Sequence, residues 1–329
     1  MNSLRGQEDH EQDKRGDERI GGIFLQTIEH PESFEIYVLT FKQNRLYKIP
    51  CVLQGPCGRK VLLMPSKRHI PVVLSIAGSD NSGGAGIQAD LKTFTTLGVY
   101  GTTAVTCVVA EHPGRVKSIT PIPAKAVREQ IDLVFEAFPV AAVKTGMLYS
   151  AEIIEAVAAS LKARKKERPF ALVIDPVMVA TSGAMLLKAD ALEALQKKLL
   201  PLADLVTPNL DETGVLLGHR LETLAEAQEA AVFAQQIWRV PFLVKGGHLQ
   251  LSQATDFLFD GKTMHSYQVA TVRNVKTHGN GCTYSAAICA GLAQGKTLHA
   301  SVSAAKRFVT RAIRQHFRIG AYQPLNQLP

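Results

Sequence analysis

The segment Thr277-His-Gly-Asn-Gly-Cys-Thr-Tyr-Ser-Ala-Ala joins a Gly-x-Gly turn and a thiol to the start of a nearly all-apolar helix. Such a turn ahead of a buried helix aims several backbone N–H groups, and the positive end of the helix dipole, at one point, which is an anion hole. A thiol at that point, Cys282, is expected as a thiolate, because a helix N-terminus lowers a cysteine pKa from its ordinary ~8.5. It can then act as a base toward an alcohol lying beside a phosphate bound by the same amides. Cys107 and Cys289 read instead as small buried cysteines. Asn209-x-x-Glu212 adds a carboxylate suited to Mg²⁺, a hard ion that usually keeps several waters. The same spacing is also a variant of the helix capping box, and the residues alone leave both readings open.

A second glycine-rich stretch, GSDNSGGAGIQAD from Gly78 to Asp90, runs into a helix. It lacks the G-K-[ST] of a Walker A loop, so no lysine or hydroxyl is placed there for a triphosphate and Mg²⁺. Gly84 to Ala89 matches G-x-G-x-x-[GA]. The preceding strand is expected to end near Ala77, however, too far upstream for the tight dinucleotide-binding turn.

These residues need a scaffold, and the pattern from residue 71 onward supplies one. Short β-branched runs alternate with amphipathic runs, the signature of repeated βαβ units around a parallel sheet. Strands are expected over 72–76, 104–109, 141–145, 172–174, 205–207 and 242–244. Between them, Val127, Ile131, Val134, Phe135 and Phe138 share one helical face, and Ile153, Ile154, Val157 and Leu161 share another. ATDFLFDGKTMHSYQVAT reads as a hairpin turned at Asp260-Gly261, so the far edge of the sheet is expected to be antiparallel. In open parallel sheets ligands bind beyond the carboxyl ends of the strands. Six successive strands lead there into Gly78 and Asp80, Glu111 and His112, Gly146 and Met147, Asp175 and Val177, Asn209 and Glu212, and Lys245 and His248. Together they point to a binding edge.

Composition bounds the class. The 329 residues are 46% hydrophobic and 20% charged, which is globular rather than disordered. No run approaches the ~18 apolar residues of a membrane span, and the first 25 residues have no apolar signal core, so a cytoplasmic location is expected. Five cysteines without a CxxC pair suggest reduced thiols and neither a disulfide framework nor a zinc site. Acidic and basic residues balance through residue 63, so the whole net charge of +8 falls later; that surplus suits an anionic small substrate as well as nucleic acid. The basic run Lys306, Arg307, Arg311, Arg314 and Arg318 lies mainly on one solvated face without aromatic platforms, which argues against nucleic acid. Residues 1–63 differ in texture from the rest and are expected to be a poorly structured extension or a misassigned start. Met64 would then open the main domain, 64–329.

Taken together, AGSDxSGGAGIQADLKTF, KTGML, VIDPVM-x-A-x-SG, TPNLxE, KGGH and THGxGCTxSAA, in that order between about Pro71 and Gly320, resemble the hydroxymethylpyrimidine and phosphomethylpyrimidine kinases of thiamine biosynthesis, a ribokinase-like family. The resemblance implies an α/β fold, a central, mostly parallel sheet with helices on both faces. It also implies phosphorylation of 4-amino-5-hydroxymethyl-2-methylpyrimidine and then of its monophosphate, with ATP and Mg²⁺. Carried over residue by residue, Gly78, Asp90, Val109, Glu111, Met147 and Val177 would form the pyrimidine pocket. Cys282 would be the base, and the amides of Gly279, Asn280, Gly281 and Cys282 would stabilise the transferred phosphoryl oxygens. Asn209, Glu212 and Lys245 would handle Mg²⁺ and the ATP phosphates, with Asp175 as a further carboxylate behind the metal. Relatives of this fold commonly form dimers, so a homodimer is an expectation.

Two departures stand out. Asn280 replaces the commoner Thr in a loop that works through its backbone, so little effect is expected. Glu111-His112-Pro113 stands where the family usually has Gln, whose amide offers a donor and an acceptor to an amino group and the neighbouring ring nitrogen; an ionised Glu only accepts. That change keeps a pyridoxal or pyridoxine kinase of the same fold in view. A non-catalytic pyrimidine-binding protein is a further alternative, although it would have no need for a base and a metal carboxylate.

Overall fold

The computed structural model describes residues 70–178, 186–188, 190–247 and 252–328 in full, together with the backbone of six strands between residues 17 and 62. The chain divides into two units, Met1–His69 and Ile70–Pro329. Ser182 and Gly183 of the VIDPVM-x-A-x-SG motif, His248 of KGGH and the proposed start at Met64 lie outside the described residues.

The first unit contains short strands. β1 (Asp17–Ile20), β2 (Ile23–His30), β3 (Ser33–Thr40) and β4 (Arg45–Lys48) form an antiparallel meander, and β5 (Val52–Gln54) pairs with β6 (Lys60–Leu62).

The second unit is built on a nine-stranded sheet of order β15-β14-β13-β12-β11-β10-β7-β8-β9. Its strands are β7 (Val72–Asp80), β8 (Tyr100–His112), β9 (Arg115–Pro121), β10 (Val140–Thr145), β11 (Ala171–Ile174), β12 (Leu205–Val206), β13 (Phe242–Lys245), β14 (Gln253–Phe259) and β15 (Met264–Ala270). The six from β8 through β7, β10, β11 and β12 to β13 run parallel. The expected β14–β15 hairpin closes one edge antiparallel, and β9 closes the other. Strand β7 runs on to Asp80, past the end expected near Ala77, because a register shift between Ala77 and Ser79 lets it keep pairing with the long β8.

Parity along the strands explains the two layers of helices. Val72, Leu74 and Ile76 of β7 face a core shared with Val127 and Ile131 of α2 (Ala124–Ala137) and with Ile153, Ile154, Val157 and Leu161 of α3 (Ala151–Glu167). On the other face, Val73, Ala142, Val173, Leu205 and Leu243 pack with Phe94 of α1 (Gly86–Thr96) and with α7 (Asn280–Ala293) and α8 (Leu298–Arg314). A strand buried on both faces is apolar at most positions, which is why these runs do not alternate. Helix α4 (Ala191–Ala194), α5 (Leu210–Leu217) and α6 (Leu224–Trp238) complete the unit. Phe138, expected on the buried face of α2, lies just past the helix end, exposed and 5.7 Å from the ring of Tyr100. No helix among the described residues is long and apolar enough to cross a membrane.

Candidate active site

The chain runs from β7 to β8 on one side and returns to β10 on the other, so the sheet has its topological switch between β7 and β10. Ligand clefts in such sheets open at this point, beyond the strand carboxyl ends. A cleft of about 800 Å³ lies there, lined by Gly78, Glu111, Met147, Asp175, Glu212 and Cys282 among others. Of the residues expected at the site, Gly78, Val109, Glu111, Met147, Asp175, Val177, Asn209, Glu212, Lys245, Gly279, Asn280, Gly281 and Cys282 all reach this cleft.

The two glycine-rich segments clasp each other across it. Gly279 is the N-cap of α7, with φ of 79°, and a Cβ there would overlap the Gly84 carbonyl. Backbone conformation and space therefore both demand glycine. The N–H groups of Asn280, Gly281 and Cys282 precede the first bond of the helix, Thr283 N–H to Gly279 O at 3.0 Å. These are the donors an anion at a helix N-terminus uses.

Opposite this turn lies a group of charges brought in by β11, α5 and β13. Lys245 Nζ donates to Asp175 Oδ1 at 2.8 Å, and a Cβ added at Gly281 would stand 3.2 Å from Lys245 Nζ and 3.8 Å from Asp175 Oδ2. Asn209 and Glu212 form a complete capping box at the start of α5: Glu212 N–H donates to Asn209 Oδ1 and Asn209 N–H to Glu212 Oε2, each at 2.8 Å. The cap and the cleft position coexist in one residue. Burial pushes the Glu212 carboxyl up to about 7, with the Lys245 charge opposing it and Asp175 adding to it.

Behind Cys282 lies a feature that sequence reasoning missed. Lys144 and Asp90 are both fully buried, with Lys144 Nζ 3.0 and 2.9 Å from the two Asp90 oxygens. Ser75 Oγ donates to Asp90 Oδ2 at 2.6 Å. Asp90 is therefore not a wall of the substrate pocket, as the resemblance implies; its oxygens are taken up by Lys144 and Ser75 beneath the cleft floor, while Lys144 reaches the cleft. The signal was present in Ala-Ala-Val-Lys-Thr: a lysine inside an apolar strand requires a buried carboxylate. Burial opposes the Lys144 charge, but Asp90 holds the ammonium protonated, above its usual range.

The expected thiolate at Cys282 also needs correction. Burial pushes the thiol up to about 11; the Lys144 charge and the Gly86 N–H pull it down, while Asp175 and Asp90 push it further up. Desolvation and two carboxylates thus outweigh the helix terminus.

Gly78, Val109, Met147 and Val177 form an apolar part of the same cleft's lining, which also includes Glu111. A Cβ at Gly78 would stand 2.8 Å from Cys107 Sγ, so only glycine leaves β7 and β8 this close. Glu111 is anchored through its N–H, which donates to Asn81 Oδ1 at 2.7 Å. Asp80 accepts from Ser82 N–H (2.7 Å), Ser82 Oγ (3.0 Å), Gly84 N–H (3.1 Å) and Ala85 N–H (2.7 Å), and lies 3.2 Å from His278 Nε2. Burial opposes its charge, yet these donors hold it well below the usual carboxylate range. Asp80, Glu111 and His278 bring ligating atoms within 4.8 Å of one another. The Asp80 oxygens are committed to five donors, so this cluster is a hydrogen-bonded tie between the two glycine loops.

One further charge lies elsewhere than expected. Lys306 is buried and donates to Asp256 Oδ2 at 2.6 Å in the cleft wall, while Arg307, Arg311, Arg314 and Arg318 are exposed. The buried carboxylate of β14 draws this one lysine off the solvated stripe.

A parallel sheet with antiparallel edges, a glycine-capped helix N-terminus carrying a thiol, and carboxylates beside a lysine define a ribokinase-like α/β kinase. The phosphomethylpyrimidine kinase family model matches residues 80–326. The chain is 46% identical over 245 residues to a hydroxymethylpyrimidine/phosphomethylpyrimidine kinase of Rhizobium meliloti, covering 74% of this chain and 90% of that protein. It is 43% identical over 257 residues to the thiamine biosynthesis bifunctional protein ThiED of Geobacter sulfurreducens, covering 78% of this chain but only 52% of that one. The crystal structure of Bacillus subtilis pyridoxal kinase in complex with ADP superimposes with a TM-score of 0.71 at 38% identity, over 78% of this chain and 97% of that one. The chain belongs to the phosphomethylpyrimidine kinase family.

Proposed function

We propose that the protein transfers the terminal phosphoryl group of ATP to the alcohol of 4-amino-5-hydroxymethyl-2-methylpyrimidine and then a second one to the resulting monophosphate. The observation that carries this is one cleft whose lining joins the apolar Gly78, Val109, Met147 and Val177 to Cys282 and to the open N-terminus of α7. An alcohol held in the pocket meets the thiol, and a phosphoryl group beside it meets the N–H groups of Asn280, Gly281 and Cys282. Fixed dipoles aimed at developing charge are the main catalytic resource in phosphoryl transfer.

The rest of the cleft fits a nucleotide. Lys245 adds a cation beside the helix terminus, and the apolar Val272, Val275, Val309 and Ile313 line a part of the cleft suited to a base. Glu212 and Asp175 are hard oxygen donors in the cleft lining and would hold Mg²⁺, which would supply positive charge to offset that of the phosphates. Cys282 accepts the alcohol proton in its thiolate form, the minor form near neutral pH because burial, Asp175 and Asp90 outweigh Lys144 and the Gly86 N–H. Residues 64–329 are proposed as the kinase domain, with 1–63 as an extension, acting in the cytoplasm as a homodimer.

A second reading has support of its own: Glu111 replaces a neutral amide, and the fold superimposes on a pyridoxal kinase. ADP release with ATP and Mg²⁺ against hydroxymethylpyrimidine, its monophosphate and pyridoxal separates the two. Conversion of the monophosphate to a diphosphate is the expected result. Activity on pyridoxal alone would overturn it.

A further inference from the structure

Glu111 sits where β8 turns into β9, its backbone tied to Asn81. Its carboxyl borders the cleft beside Val109 and Met147, within 4.8 Å of the Asp80 and His278 ligating atoms. Asp80 is already committed to Ser82, Gly84, Ala85 and His278, so Glu111 has a fixed negative charge beside it and shares the cleft lining with the apolar Val109 and Met147. An acceptor with an amino group next to a ring nitrogen presents one donor and one acceptor along that edge. An ionised carboxyl cannot match both, but a carboxyl carrying one proton can: its O–H donates to the ring nitrogen and its C=O accepts from the amino group.

Resting on the function proposed above, we propose that Glu111 determines acceptor specificity by binding the aminopyrimidine edge with one proton held between its carboxyl and the ring nitrogen, so that acceptor binding is linked to pH. The proton can sit on the carboxyl or on the ring, since both arrangements contain one proton and two complementary hydrogen bonds. With no proton two acceptors face each other, and with two protons two donors do. Burial and the Asp80 charge push the Glu111 carboxyl up, against the His278 charge, which favours keeping that proton. Cys107, on its own strand, is the other titratable group that feels the Glu111 charge; the neighbouring His112 is paired in register with Arg115 across the hairpin end and lies 3.2 Å from the Tyr322 hydroxyl through Nδ1. Glutamine in this place would carry donor and acceptor at every pH and show no such link.

Isothermal titration of the full chain with hydroxymethylpyrimidine, without nucleotide, from about pH 5.5 to 9, tests this. Above the higher of the carboxyl and ring pKa values, affinity should fall about tenfold per pH unit, the slope of a single linked proton. Titration in two buffers of different ionisation enthalpy should count that proton without any variant. Glu111→Gln should bind with no alkaline decline, and so should wild type with an analogue carrying CH in place of the ring nitrogen. A flat wild-type profile overturns the proposal, as does a decline that persists in Glu111→Gln, which would assign the titration to His278. Failure of the pyrimidine to bind either protein at any pH would remove the proposed function with it, whereas binding with the wrong pH dependence would remove only the role of Glu111.

Discussion

Replacing Asp90 by Asn keeps the shape of the side chain and removes its charge, and the outcome decides whether this residue supports the site from beneath or walls it. The structure places both Asp90 and Lys144 at 0% exposure, joined at 2.9 Å, with Ser75 as the only other partner found for the carboxylate among the described residues. The change leaves a buried ammonium without its counter-charge, a situation that costs about 3–5 kcal/mol. For a unit of this size a loss of about 1 kcal/mol lowers Tm by about 2–3 °C, so the midpoint should fall by roughly 6–15 °C. Adding Lys144→Met removes the stranded charge and should restore most of the loss, because deleting both members of a buried pair is often close to neutral. Urea denaturation of wild type, both single variants and the double variant gives the cycle directly. If Asp90→Asn costs under about 0.5 kcal/mol and instead raises the acceptor KM, Asp90 touches substrate and the burial argument is refuted.

Cys282→Ala should lower turnover by about 100-fold or more, the scale of a lost general base, with acceptor affinity changed only a few-fold; equal losses in both would make the thiol a pocket wall. Because burial holds that thiol near 11, its alkylation by iodoacetamide should accelerate about tenfold per pH unit from pH 7 to 9; a plateau near pH 8 would mean the helix terminus prevails. Gly279→Ala, which meets the Gly84 carbonyl and a positive φ, should cost at least about 100-fold in kcat, as losing an oxyanion donor does, and normal turnover would show that the clasp is not needed. Glu212→Gln should keep the cap, and stability to within about 0.5 kcal/mol, yet need at least about tenfold more Mg²⁺ for half-maximal rate; Glu212→Ala should also lose about 1 kcal/mol of helix stability. The Asp80 bond raises the His278 pKa above its usual range, against burial. Stability from that tie is thus complete below about pH 6.5 and lost as pH rises through the folded-state value, and His278→Gln should flatten this part of the stability–pH curve.

What the sequence made legible follows from where chemistry sits in a parallel sheet. Each strand ends in a loop at the same edge, so reading six strands into their loops found ten residues that line one cleft: Gly78, Asp80, Glu111, Gly146, Met147, Asp175, Val177, Asn209, Glu212 and Lys245. Hydrophobic runs located the six parallel strands, because a doubly covered strand is apolar on both faces, but not all of their ends: β7 extends to Asp80 and β8 spans Tyr100–His112 where 72–76 and 104–109 were expected. Strand β9 was not foreseen: Arg115–Pro121 is an edge strand with mostly exposed or half-buried positions, and it has neither a continuous apolar run nor a hairpin dipeptide of the commonest kind.

The errors share a physical origin. Asp90 pairs with Lys144, 54 positions away, Lys306 with Asp256, 50 away, and His278 with Asp80, 198 away. A local pattern shows that a lysine lies in an apolar strand, but not which carboxylate answers it, and so not which acidic residue is withdrawn from the cleft. The same holds for the reactivity of Cys282. A helix N-terminus is visible in eleven residues of sequence and favours the thiolate, whereas the desolvation and the Asp175 and Asp90 charges that oppose it arrive from β11, α1 and the packing of α7 against the sheet. Proton affinity is a sum over everything within a few ångströms, and most of those terms here come from residues distant in the chain. Position at the strand ends was therefore readable locally, while protonation at the same positions required the fold.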